Sequence, residues 1–159
     1  MANARRAATP AAPPEEPTLL YLMKQVELAV RARLDDMVRP AGLTALQYTA
    51  LTVLERHTEL TASRLAHRSF VTAQTMADMV TTLLERGYVE RHRDQADRRR
   101  LVLALTPAGR AVLDDYRPRV AALEAEMLSP LSAAQAIALR RAMVACRTAL
   151  ADSARAAAN

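Results

Sequence analysis

The chain has 159 residues, of which 51% are hydrophobic, while only three are Gly and one is Cys. This length suits one domain, or two small modules that share a core, and is short for an elaborate enzyme. The single cysteine excludes an intramolecular disulfide framework and a Cys-x-x-Cys metal site. No apolar stretch approaches the roughly 20 residues that span a bilayer, and the N-terminus lacks an apolar signal segment. The sequence therefore predicts a cytoplasmic protein that has no membrane partner.

Basic residues outnumber acidic ones by 22 to 17, and the formal net charge is +5. Of the basic residues, 21 are arginines, whose planar guanidinium binds phosphate better than the point charge of lysine does. The sequence pI near 10.1 therefore favours a polyanionic partner. A genome rich in G and C also raises the arginine content, so composition alone supports nucleic acid only modestly.

The predicted elements begin with a tail. Residues 1–17 are rich in Ala and Pro, and we expect them to be disordered because proline cannot donate helical hydrogen bonds. From Thr18, apolar residues recur at spacings of three and four up to Pro40, which predicts a long helix. Three short helices follow between residues 44 and 87, each beginning after a threonine that can cap it. These threonines are Thr44, Thr61 and Thr72.

After residue 87 the spacing of the apolar residues no longer follows the helical period and becomes that of short strands. Residues 88–92 and 101–105 are predicted to form a β-hairpin around a charged loop. Thr106 and Ser132 then open two further helices. The fold class is therefore mainly α with a small β-hairpin wing, and two units are expected. Residues 41–106 form one unit, in which short helices are followed at once by a basic hairpin as in a winged helix-turn-helix, and the long helices of residues 18–40 and 107–155 form the other.

The helix that begins after Thr72 is the candidate recognition helix, because the second helix of a helix-turn-helix enters the major groove. Its apolar residues share one face, which turns the polar residues of its first two turns outward. Glutamine bonds bidentately to adenine, threonine bonds to a base or a phosphate, and the helix N-terminus attracts phosphate. The candidate DNA-contacting residues of this helix are Thr72, Gln74, Thr75 and Asp78.

The hairpin loop supplies a second candidate contact. Residues 86–100 contain six arginines against three acidic residues. Arginines at a hairpin tip reach into a minor groove, where the potential is most negative. The candidate wing residues are Arg91, Arg93, Asp97, Arg98 and Arg99. The alternative is that Asp97 pairs with a neighbouring arginine and the hairpin is only a solvated turn.

Several segments, in this order, resemble the MarR family of transcriptional regulators. They are Leu65-Ala66, Ser69 to Met76, Leu84 to Arg91, Asp97-Arg98-Arg99 and Leu105 to Gly109. The resemblance extends over about residues 18–152. It implies a homodimeric winged-helix repressor that binds double-stranded DNA at a near-palindromic operator. In such a repressor residues 41–106 would form the DNA-binding domain and residues 18–40 and 107–155 the helical dimerisation domain, with Asp97 and Arg99 forming the wing motif that reaches the minor groove. Many members release DNA when a small phenolic or aromatic effector enters the cleft between the two subdomains, and others respond to oxidation of a cysteine near their N-terminus, which this chain lacks.

The apolar faces of the helices predicted at residues 18–39, 107–128 and 132–152 agree with a dimer, because one small lobe cannot cover them. An ordinary intramolecular bundle is the alternative. Candidate residues for the effector cleft are Met23, Tyr48, Arg56 and His57, although Met and Tyr at helical spacing are more often core residues.

The cysteine, the phenylalanine and the histidines each lead to a further expectation. Cys146 falls in step with the apolar face of the last helix, and we expect a buried structural thiol. Phe70 stands in the turn where many relatives of the family have glycine, and we expect it to pack over that turn. The three histidines lack ligand-like spacing, so neither a metal site nor a cofactor is expected.

The sequence contains no recognisable set of catalytic residues that would favour an enzyme over a DNA-binding protein. The sequence contains no Ser/His/Asp set, no glycine-rich phosphate loop and no pair of carboxylates in a plausible cleft, so we do not expect an enzyme. Two alternatives stay open. One is a helical protein-interaction module whose basic hairpin binds an acidic protein, and the other is a non-specific DNA-binding protein without an effector response.

Overall fold

A computed structural model describes residues 16–157 of the chain, and the side chains of residues 16–150. Its helices are α1 (Leu19–Val38), α2 (Ala45–Arg56), α3 (Ala62–Ser69), α4 (Ala73–Glu85), α5 (Pro107–Leu128) and α6 (Ala133–Ala157). A short 3-10 turn (Arg39–Ala41) follows α1, and strands β1 (Val89–Arg93) and β2 (Leu101–Leu105) separate α4 from α5. The mainly α fold with a β-hairpin is confirmed. Apart from its last two residues, the tail predicted at residues 1–17 lies outside the described residues.

The predicted helix caps are confirmed, because each cap depends only on residues three positions apart. The Thr44 hydroxyl accepts the amide of Gln47 at 3.2 Å, and the Gln47 side chain accepts the amide of Thr44 at 3.0 Å, which completes a capping box. Ser132 and Gln135 form a second reciprocal pair. Single threonine caps open the remaining helices, at Thr18, Thr61, Thr72 and Thr106.

The hairpin differs slightly from its prediction. Strand β1 begins at Val89 and ends at Arg93, one residue later than expected, and pairs antiparallel with β2 from Val89↔Leu105 to Arg93↔Leu101. Leu60 adds an isolated bridge to Leu103, whose amide donates to the Leu60 carbonyl at 2.8 Å. This contact, which the sequence did not indicate, attaches the hairpin to the segment before α3.

The hydrophobic core lies between the short helices, the hairpin and the start of α5. Its fully buried side chains include Leu51, Leu54, Leu65, Met76, Leu83, Leu103 and Leu113. Burying a side chain of this size contributes roughly 1.5–3 kcal/mol each relative to exposure. The core therefore holds α4 and the hairpin at a fixed relative position.

Charged pairs join the long helices to each other and to α2. Arg33 of α1 binds Glu126 of α5 through two hydrogen bonds of 3.0 and 2.8 Å. These bonds raise the pKa of the Arg33 guanidinium and lower that of the Glu126 carboxyl. Arg117 of α5 donates to Glu55 of α2 at 2.7 Å, and this hydrogen bond is the main cause of the raised pKa of Arg117.

The long helices expose much of their apolar surface in the single chain. Leu19 and Leu20 of α1 are 77% and 79% exposed, and Ile137 of α6 is 55% exposed. Cys146 is exposed as well, so the expectation of a buried thiol is wrong for the single chain. Helical periodicity places Cys146 on an apolar face, but the described core does not reach that face of α6. Among residues 16–157, none of the helices combines the length and the apolarity that a bilayer span requires.

Candidate nucleic-acid interface

Helix α4 presents a polar surface because its apolar residues are held in the core. Met76, Met79, Val80 and Leu83 are all buried. The spacing of these residues leaves the four predicted contact residues, Thr72, Gln74, Thr75 and Asp78, exposed at the N-terminal half of the helix. Their exposure follows from the 3.6-residue period of the helix.

Two threonines organise the N-terminus of α4. The Thr72 hydroxyl accepts the amide of Thr75 at 3.1 Å and lies 2.8 Å from the Thr75 hydroxyl. One of these hydroxyls donates to the other, and a hydroxyl oxygen still has a free lone pair in such an arrangement. Thr72 is therefore first a helix cap. The hydroxyl pair is held in one geometry before any ligand arrives.

Gln74 and Asp78 form a second pair on the same face. The amide Nε2 of Gln74 donates to Oδ1 of Asp78 at 3.2 Å, one helical turn away. An amide nitrogen carries two hydrogens, so this bond leaves a second donor, and the Gln74 oxygen is an acceptor. A donor and an acceptor side by side match the N7 and N6 edge of adenine. Asp78, predicted only to contact DNA, therefore also orients the Gln74 amide.

The residues that lead into α4 and form its first turn carry no negative charge, and the first carboxylate that follows them is that of Asp78. Residues 60–77 contain no Asp or Glu, whereas α3 contributes exposed Arg64 and Arg68. The N-terminal end of a helix also carries a partial positive charge from its unsatisfied amides. This surface therefore attracts anions.

Two aspartates shape the wing loop through their side chains. Asp94 Oδ1 accepts the amide of Ala96 at 2.9 Å, and Asp97 Oδ1 accepts the amide of Arg99 at 3.1 Å. The Ala96 amide is the main cause that lowers the pKa of the Asp94 carboxyl, with smaller contributions from the Asp97 amide and the Arg100 charge. Such side-chain turns stabilise tight loops. Asp94 was not among the predicted wing residues, although an aspartate two positions before a turn amide is a local signal.

The wing arginines are directed by these turns. Arg93 donates to the carbonyl of Arg98 at 2.7 Å and closes the base of the loop. Arg91, Arg98 and Arg99 are exposed, and within the described part of the chain none of them forms an ion pair. Asp97 accepts a backbone amide and not a neighbouring guanidinium, so the pairing considered as the alternative is absent here. Three guanidinium groups are thus available to a ligand.

A contact between the wing and the loop after α2 sets the position of the hairpin. His92 Nε2 lies 3.2 Å from Oε1 of Glu59, a residue in the left-handed region with φ of 59°. Together with the Leu60–Leu103 bridge, this contact holds β1 and β2 against the segment that leads into α3. The sequence carried no local signal for this pair, because its members are far apart along the chain.

The residues predicted for the effector cleft do not converge. Tyr48 is buried in the core, where desolvation raises the pKa of its hydroxyl, and Met23 is 42% exposed on α1. Arg56 and His57 lie exposed at the far end of α2, about 12 Å along the helix from Tyr48. His57 Nε2 lies 3.1 Å from Nη1 of Arg68.

A cleft of about 190 Å³ does lie between α1 and α2. Its walls are mainly apolar, and none of the four predicted residues contributes to them. The lining residues are Glu27, Val30, Arg31, Leu34, Ala45, Leu46 and Thr49. Within the described residues, no group of three or more His, Cys, Asp or Glu side chains is arranged to hold a metal ion.

Comparison with known proteins agrees with this arrangement. The model of the MarR family matches residues 41–100, which include α2 to α4 and most of the wing. An HTH-type transcriptional repressor of Mycobacterium tuberculosis is 30% identical over 121 residues, which cover 76% of this chain and 87% of the repressor.

Two solved structures show the same fold. A MarR family protein of Mycobacterium tuberculosis in complex with salicylic acid superposes with a TM-score of 0.68 at 28% identity, covering 83% of this chain and 98% of that one. The Staphylococcus aureus MepR–DNA complex superposes with a TM-score of 0.73 at 20% identity, covering 84% and 99%. The matched relatives are transcriptional regulators. The chain therefore belongs to the MarR family of winged helix-turn-helix transcriptional regulators.

Proposed function

We propose that the chain is a sequence-specific DNA-binding repressor that acts as a homodimer on a near-palindromic operator. The observation that carries this proposal is the surface at the start of α4. It combines the second amide hydrogen and the acceptor oxygen of Gln74, a preceding segment without carboxylates and three unpaired arginines in the wing. The wing and α4 share one core, so both meet a duplex at the same time.

In this proposal Gln74 and Thr75 contact base edges, and Thr72 and Asp78 hold them in place. Arg98 and Arg99 enter the minor groove beside the site, while Arg91 and Arg93 support the hairpin and contact phosphates. Direct contacts to base edges specify the sequence, whereas phosphate contacts determine position and affinity. The DNA complex of the Staphylococcus aureus protein, which has the same fold, supports a duplex as the ligand.

The homodimer rests on the exposed apolar surface of the long helices. Residues 18–40 and 107–155 form the dimerisation domain in this proposal, and residues 41–106 form the DNA-binding domain. Leu19, Leu20, Ile137 and Met143 are each about half exposed or more in the single chain. A second copy covers such faces and supplies the second half-site contact.

A small aromatic effector is proposed for the cleft between α1 and α2. The cleft of about 190 Å³ is smaller than the roughly 300–1,000 Å³ typical of drug-sized ligands, so it suits a single-ring molecule. Arg31 in its wall forms an ion pair with Glu27 of the same wall, and in this proposal its guanidinium also binds the carboxylate of the effector. The salicylic acid complex of the Mycobacterium tuberculosis protein supports a ligand of this class.

The test is a selection of genomic fragments by the purified chain, combined with sedimentation to measure its mass. We expect a dimer that enriches a few fragments containing inverted repeats and loses them when salicylate is added. A shuffled fragment of equal composition is the matched control. A monomer, or equal binding to cognate and shuffled fragments, would contradict the proposal. The first result favours a protein-interaction module, and the second favours a non-specific DNA-binding protein.

A further inference from the structure

Phe70 has an unusual backbone conformation. It ends α3 with φ of 56° and ψ of 39°, in the left-handed region. Its amide donates to the carbonyls of Ala66 and His67, so the conformation serves to close the helix. Glycine takes this conformation without steric cost, whereas a bulky side chain does not. The chain thus places an aromatic residue where the backbone favours glycine.

The Phe70 side chain does not stabilise the core in return. It is 85% exposed, so the expectation that it packs over the turn is wrong. An aromatic ring in water contributes no burial to folding. A residue that strains the backbone without adding to the core suggests a role in binding.

The position of Phe70 indicates its partner. Thr72, which caps α4, is two residues away, so the two Cα atoms are at most about 7.6 Å apart. The surrounding residues 60–77 contain no carboxylate, and the neighbouring Arg64, His67 and Arg68 are exposed. An exposed ring beside this basic segment suits a polyanion better than an apolar protein, which would leave the flanking charges desolvated. The recognition helix that begins next to it favours a DNA duplex over an acidic peptide.

We infer that Phe70 reads thymine. Its ring contacts the C5-methyl group of a thymine at the edge of the major-groove site that Gln74 and Thr75 read, and this inference rests on the proposed function. A phenyl ring has no hydrogen-bonding group, so it cannot distinguish the polar edges of bases. The thymine methyl is the apolar feature of the major groove, and phenylalanine is among the residues that contact it.

The experiment replaces thymines of a selected operator, one position per half-site at a time, with deoxyuracil. Deoxyuracil lacks only the methyl group and keeps the base pair. We expect the wild-type chain to lose about three- to tenfold in affinity at one position, which corresponds to roughly 0.7–1.4 kcal/mol since 1.4 kcal/mol is tenfold. Phe70→Gly should bind the thymine operator more weakly and should show no further loss on the deoxyuracil operator.

Two controls separate this reading from a folding defect. Glycine suits the left-handed conformation, so Phe70→Gly should unfold at the same temperature as the wild type or a higher one. Gln74→Ala should bind more weakly yet keep its sensitivity to deoxyuracil, because it leaves Phe70 in place. The thymine contact would be overturned if Phe70→Gly lost as much affinity from the deoxyuracil substitution as the wild type does, or if the wild type lost no affinity at any position. If the wild-type chain prefers no fragment over shuffled DNA, the proposed function fails and the inference fails with it.

Discussion

Gln74 and Asp78 are joined across one turn of α4 by a hydrogen bond of 3.2 Å from the amide nitrogen to the carboxylate. The carboxylate holds the amide in one orientation before DNA is present, at the cost of a negative charge close to the phosphates. Orientation and charge can be separated by substitution, because asparagine keeps an acceptor oxygen and removes the charge.

We expect Asp78→Asn to bind all DNA sequences more tightly and to keep its preference for the operator. Asp78→Ala should also bind random DNA more tightly, but its preference should fall by about tenfold, since one good base contact discriminates by roughly 1–3 kcal/mol. Competition between the operator and shuffled DNA at constant salt measures both effects. An unchanged preference for Asp78→Ala would show that the hydrogen bond does not orient Gln74 in the complex.

Arg99 in the wing is expected to contribute affinity and little sequence preference. Arg99→Ala should weaken binding to operator and shuffled DNA alike, and each phosphate contact that is lost should reduce the slope of log K against log salt by about 0.9. Gln74→Ala should instead lower the affinity for the operator alone, by about 1–3 kcal/mol. Titrations between low and moderate salt measure the slopes. A loss of affinity for every sequence in Gln74→Ala would argue against base reading by that residue.

The Asp94 carboxylate should make the wing turn sensitive to acid. The Ala96 amide lowers the pKa of this carboxyl below the ordinary value of about 3.9, so the folded turn favours the charged form. The stabilisation is therefore present above the ordinary pKa and is lost as the pH falls through the lowered value. An NMR titration of the Asp94 carboxyl and the Ala96 amide measures the pKa of Asp94 and the pH at which the hydrogen bond is lost. Asp94→Asn keeps an acceptor for Ala96 and should abolish the pH dependence of that amide, whereas an Asp94 pKa at or above the ordinary value would contradict the assignment.

Gly109 marks a close approach between α5 and the residue before β1. A Cβ atom at this position would lie 2.1 Å from the carbonyl oxygen of Tyr88, which accepts the amide of Thr106 at 3.2 Å. Because a backbone atom cannot move aside easily, Gly109→Ala should lower the free energy of unfolding by about 3 kcal/mol. Gly87 is the matched control, since its φ is +70° but a Cβ meets nothing within 4 Å. Gly87→Ala should cost about 1 kcal/mol from the left-handed backbone alone. Denaturant unfolding compares the two, and equal losses would contradict the clash.

The local features of this fold could be predicted because their causes are local. A threonine and the amide three residues later are enough to begin a helix, and every predicted cap is present. The polar face of α4 followed from the spacing of Met76 and its buried neighbours. Features that join distant segments, such as the His92–Glu59 contact and the Leu60–Leu103 bridge, left no such signal.

Cys146 and Phe70 show the opposite case, in which a local pattern led to a wrong expectation of burial. Helical spacing assigned Cys146 to an apolar face, but spacing does not state whether anything covers that face. The size of Phe70 suggested packing, while its conformation at the end of α3 turns it into solvent. The residues predicted for the effector cleft separated for a related reason, because eight residues of helix carry Tyr48 away from Arg56.

The sequence by itself determined where the helices begin, which face of α4 is polar and how much positive charge the wing carries, because capping, periodicity and charge act between near neighbours. Only the tertiary structure decided how α4 and the hairpin are joined, which aspartates accept hydrogen bonds from turn amides and which apolar helix faces stay exposed to solvent. Those outcomes depend on contacts between residues far apart in the chain, whose geometry is set by the packing of the whole core.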